Sequence, residues 1–136
     1  MEKKLIKFIS VNKILDSLKL DKLSGSDKYE ILKIGRKIKL IVKEFEEFKQ
    51  DIIEKYTSTD EFKSKFEIKD TDKEAEKYVK DINNEVNNLL LIEATSDKEV
   101  DITPISEELF VKLMDVNDLS INNSLLLEEI LLNKEE

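Results

Sequence analysis

The sequence predicts a mainly α domain, a long antiparallel helical hairpin with short helices packed on it and room for a small β pairing. Three observations predict it. Through residues 27–57, Ile31, Ile38, Phe45 and Ile52 recur every seven residues, and Ile34, Ile41 and Phe48 form a second series offset by three. Alternating steps of three and four place both series on one face of a helix. A second stretch repeats the pattern, with Ala75, Ile82 and Leu89 in one series and Val79 and Val86 in the other. Two glycines and one proline in 136 residues are too few for the tight turns of an all-β fold or for glycine-rich phosphate loops.

The elements follow in order. Residues 4–9 are short and β-prone, either an edge strand or the start of a helix. Ser10 is a suitable N-cap for a helix through Val11, Ile14, Leu15 and Leu18. Residues 19–26 read as a loop punctuated by Ser24-Gly25-Ser26. The first long helix is expected from Asp27, with Glu30 completing a capping box, to Tyr56. Gly35 lies inside it, at a cost of up to about 1 kcal/mol relative to Ala that a close helix crossing would offset. Residues 57–70 are polar and broken, with Phe62 and Phe66 anchoring one helical turn and 67–69 a candidate strand. Thr71 and Glu74 suit a capping box for the second long helix. Glu99 to Ile102 alternates like a half-exposed strand that Pro104 ends, with residues 4–9 or 66–69 as its partner. Ser106 and Ser120 are expected to cap two further helices.

Composition restricts the chemistry. The chain has no His, Cys or Trp, which excludes the common zinc arrangements, disulfides, and Ser–His or Cys–His nucleophiles. Neither a cofactor nor a metal is expected, and the chain reads as non-enzymatic. The longest apolar run, Leu89 to Ile92, is four residues, far short of the ~20 that span a bilayer. Lys7 interrupts the apolar start, so no signal peptide is expected and the chain reads as cytoplasmic. Charge is uneven: residues 1–43 carry 12 Lys/Arg against 5 Asp/Glu, and residues 99–136 carry 2 against 10. The two ends should attract, within one fold or between copies.

Several clusters invite a functional reading. Asp97, Glu99 and Asp101 alternate as in a calcium loop, but Ile102 stands where that loop needs glycine. Glu47, Asp51 and Glu54 share a helix face that could meet Glu76, Asp81 and Glu85, without the His of a di-metal site. Asn83, Asn84, Asn87 and Asn88 flank Val86, where a solvated face is the simplest reading. Lys33, Arg36, Lys37, Lys39 and Lys43 form a basic patch that could grip phosphates by charge, with only Tyr29 beside it for stacking. The last helix is apolar over more than half its circumference. Leu125, Leu126, Ile130 and Leu131, with Glu128 and Glu129, are therefore the expected partner-binding residues, unless that surface completes the core.

The segments Leu5–Leu18, Glu30–Tyr56, Asn83–Ile105 (NNEVNNLLLIEATSDKEVDITPI) and Leu125–Asn133 (LLLEEILLN) together resemble a group of small phage proteins of Gram-positive hosts, encoded near tail and lysis genes. The likeness lies in the order of features: amphipathic helix, Leu-rich turn, V-D-I strand. It implies a phage accessory protein, tail-associated or an assembly factor, acting in the bacterial host cytoplasm or on the virion. The expected partner is a phage or host protein, with a second copy of the chain an alternative. An inhibitor of a host defence protein and a nucleic-acid binder using the basic first third are the competing readings. No membrane partner is expected.

Overall fold

Among residues 1–134, which the computed structural model describes, the chain is mainly helical, with a small two-stranded antiparallel sheet. The elements are β1 (Glu2–Lys4), α1 (Leu5–Ser17), α2 (Gly25–Thr57), α3 (Asp60–Ile68), α4 (Lys73–Ala94), β2 (Asp97–Glu99), α5 (Glu107–Asp115) and α6 (Ile121–Leu131).

Most boundaries follow from caps. Ser24 Oγ accepts from Asp27 N at 3.2 Å, so α2 starts two residues before the expected Asp27. Asp72, rather than Thr71, caps α4: its Oδ1 accepts from Glu74 N and Ala75 N at 2.9 and 3.1 Å. One carboxylate oxygen thereby satisfies two orphan amides. Ser106 and Ser120 cap α5 and α6 as expected. Helix α6 ends in a Schellman turn, with Asn133 at φ 52 and Lys134 N donating to Glu129 O at 3.1 Å.

Three local expectations are corrected. Ser10 is not a cap but lies inside α1, which begins at Leu5 without a side-chain cap. Leu5, Phe8, Val11 and Ile14 form one continuous buried face, and burying each side chain is worth about 1.5–3 kcal/mol, more than a missing cap costs. Residues 67–69 form no strand, because α3 runs through Ile68. The small sheet pairs β1 with β2, in the register Glu2↔Glu99, Lys3↔Lys98 and Lys4↔Asp97. It therefore sits earlier in both segments than the alternation suggests. Beyond it the chain turns inward, and Ile102 and Ile105 enter the core on either side of Pro104.

The chain divides into two compact units that share α2. The first comprises Met1–Val42 and the segment from Asp97 onward. Its core joins Phe8, Val11 and Ile14 of α1 and Ile31, Ile34 and Ile38 of α2 to Leu109 and Leu113 of α5 and Leu127, Ile130 and Leu131 of α6. Ile105 N donates to Leu131 O at 2.9 Å, tying the 100–106 segment to the end of α6. The second unit, Lys43–Ser96, holds the C-terminal part of α2, then α3 and α4. The chain runs out along α2, turns through α3 and returns along α4, so the antiparallel hairpin is present. Only α2 beyond Val42 belongs to it; the first half of the apolar seam is covered by α1, α5 and α6 instead.

Candidate functional site

Within the first unit, two clefts flank Arg36 of α2. One, of about 290 Å³, is lined by Tyr29, Glu30, Lys33, Lys37, Ile102 and Thr103. Its cations are largely engaged. Lys33 Nζ lies 3.0 Å from Glu30 Oε1 and 5.2 Å from the centre of the Tyr29 ring, and Lys37 Nζ donates to the Asp101 carbonyl.

The other cleft, also about 290 Å³, is an apolar groove between α1 and α2. Leu15 and Leu20 line it from the α1 side and the loop after it, Ile31 and Leu32 from α2, and Gly35 forms part of its floor. Lys39 at its edge pairs with Asp16 across the groove. Arg36 borders both clefts and makes no hydrogen bond or ion pair among the described residues.

Gly35 gives this groove its interest. A Cβ added there would meet only Leu15 Cδ1, at 4.0 Å, an ordinary van der Waals distance. No close helix crossing offsets the cost of this glycine, and intrachain packing does not require it. Its effect is to leave room above α2 beside a free guanidinium. The wall at Leu20 is steadied by Asn117, whose Oδ1 accepts from Lys19 N at 2.7 Å and whose Nδ2 donates to Lys19 O at 3.0 Å. The same amide nitrogen reaches Leu113 O at 3.0 Å, pinning the loop after α1 to the end of α5.

The basic patch is thus divided. Lys33, Arg36 and Lys37 line one cleft, and Arg36 and Lys39 border the other. Lys43 stands at the start of the second unit.

The expected partner surface on α6 divides too. Ile130, Leu131 and Glu129 are buried and unavailable to a partner, because the inner face of α6 completes the core. Leu126 packs on that core, Glu128 is half-buried, and Leu125 is exposed. Glu129 Oε1 accepts from Lys3 Nζ at 2.8 Å and from Lys7 Nζ at 2.7 Å. Burial alone would raise its pKa, but the two ammonium groups outweigh that and hold the carboxyl below its ordinary range. Two ends of opposite charge therefore meet inside one fold.

The remaining clusters carry no built site. Asp97 and Glu99 lie in β2, beside Lys4 at 3.6 Å and the Met1 nitrogen at 3.2 Å respectively. Asn83, Asn84, Asn87 and Asn88 are all exposed on α4. No group of three or more acidic side chains among the described residues is placed to hold a metal ion. In the second unit, Glu85 raises the pKa of the Tyr56 hydroxyl, first by hydrogen bonding. No helix among the described residues is long and apolar enough to cross a membrane.

Sequence reasoning noted Gly35 and Arg36 separately but missed their conjunction, and it missed Asn117 altogether. A helical Gly adjacent to an Arg, with Leu32 on the same face, was the available signal. No family model, curated protein or solved structure matches the chain.

Proposed function

We propose that this chain is a non-enzymatic protein-binding module, in the setting of a phage accessory protein, and that it binds through the groove over Gly35. The observation that carries this reading is the conjunction of apolar walls, a helical glycine that packing does not need, and the unpaired Arg36. Such a slot suits an apolar side chain presented beside a carboxylate, since Arg pairs well with carboxylates. Nucleic-acid binding is less well supported: within the basic patch Lys33, Lys37 and Lys39 already have partners, which leaves only Arg36 and Lys43 of that patch for phosphates. The resemblance to small phage proteins supplies the setting.

A photo-crosslinking residue at Leu32 tests the reading in the producing cell. The expected result is a discrete protein adduct that the groove-filling Gly35→Leu abolishes, while the same probe at exposed Val111 of α5 gives none. No adduct at Leu32, or adducts indifferent to Gly35→Leu in a folded variant, would overturn it.

A further inference from the structure

Helix α6 has a second face that its role in the core leaves over. Ile121 and Leu125 are 78% and 51% exposed, and at i, i+4 they are neighbours on the helix surface. Glu128 follows three residues later on the same side, and its carboxylate has no ion pair or hydrogen bond among the described residues. This face is the chemical complement of the groove between α1 and α2: two adjacent apolar side chains ending in a free carboxylate, against an apolar slot ending in a free guanidinium.

We infer that the occupant of the groove is α6 of a second copy of this chain, an inference that rests on the protein-binding reading above. Ile121 and Leu125 of one copy lie against Leu15, Leu20 and Leu32 of the other, and Glu128 pairs with Arg36. The charge division along the chain favours the same contact, because the basic first third meets the acidic last third. The groove and the α6 face are different surfaces. The contact therefore either closes reciprocally in a dimer or propagates from copy to copy. It engages only a few side chains, well below the roughly 800 Å² per partner of a standard interface, so assembly is weak and builds up at high protein concentration.

The absence of native cysteine makes a direct test clean. Copies carrying Leu32→Cys are mixed at high concentration with copies carrying Leu125→Cys and mildly oxidised. The expected result is a disulfide between unlike copies, in clear excess over the yield from Val111→Cys mixed with Leu125→Cys. Adding Arg36→Glu to the first copy should reduce the yield several-fold, and adding Glu128→Arg to the second should restore it. A yield no higher than the Val111 control, or one unmoved by charge reversal, overturns the inference. If the cysteines fail to pair while Leu32 still crosslinks another protein in a Gly35-dependent way, the self-contact falls and the protein-binding reading survives. If Leu32 crosslinks nothing, both fall.

Discussion

The two halves of α2 carry one continuous apolar pattern and meet different fates. In the first unit Ile31, Ile34 and Ile38 are almost wholly buried, at 2%, 4% and 0% exposure, whereas Phe45, Phe48 and Ile52 in the second are only half-buried. The difference is in what covers them. Helices α1, α5 and α6 and the 100–106 segment close over the first half, and every fully buried large side chain belongs to that unit. The second half has only α3 and α4, whose buried residues are Phe62, Ala75, Val79, Val86 and Ala94. A heptad pattern therefore specifies which face of a helix is covered, and the number of covering elements decides how deeply.

The strongest way to break this comparison is to truncate one aromatic in each unit. Phe8→Ala removes a fully buried ring from the first unit and should cost about 3–5 kcal/mol. Phe48→Ala, half-buried in the second, should cost roughly 1–2 kcal/mol. Urea denaturation followed by circular dichroism measures both, and equal losses would contradict the inequality of the two cores.

Glu129→Gln comes next, and belongs to the first unit alone. Removing the carboxylate leaves Lys3 and Lys7 without their buried acceptor and should lower stability by about 2 kcal/mol. The folded state holds this carboxyl below its ordinary range. Its contribution is therefore complete above the unfolded value near 4.3 and declines as pH falls through the lower folded value. The acid limb of the stability curve should be shallower in Glu129→Gln than in the parent.

Asn117→Ala should cost about 1–2 kcal/mol, since it removes two hydrogen bonds to Lys19 in the loop after α1 and one to Leu113 of α5. The smallest effect has the opposite sign. Gly35→Ala should raise the melting temperature, by up to about 1 kcal/mol of added stability, because the new methyl meets only Leu15 Cδ1 at 4.0 Å. A destabilised Gly35→Ala would show that α1 and α2 pack more closely there than a groove permits.

Much of the fold is legible in the sequence, because it rests on local signals. The α2 and α4 seams, the caps at Ser106 and Ser120, and the mainly helical class all follow from periodicity and turn chemistry. What periodicity does not contain is the identity of the covering partner. It gives Ile38 and Phe45 the same status, so α4 looks like the sole cover for the seam, although Ile38 packs with α1, α5 and α6. For the same reason the sequence leaves Ile130 and Leu131 open between partner surface and core, because the contacts that bury them lie more than a hundred residues back in α1. The groove is less legible still. Gly35 and Arg36 stand out in the sequence, but the open space between them and Leu20 depends on a loop that Asn117 holds through long-range hydrogen bonds.

Native-state amide hydrogen exchange reads the inequality between the two units most directly, residue by residue along a helix common to both. Amides of α1, of α5 and α6, and of α2 up to Val42 should exchange only through the largest openings, while those of α3, α4 and α2 beyond Lys43 exchange through smaller, local ones. Protection that stays uniform from Ile31 to Ile53, with α4 as slow as α1, would contradict it.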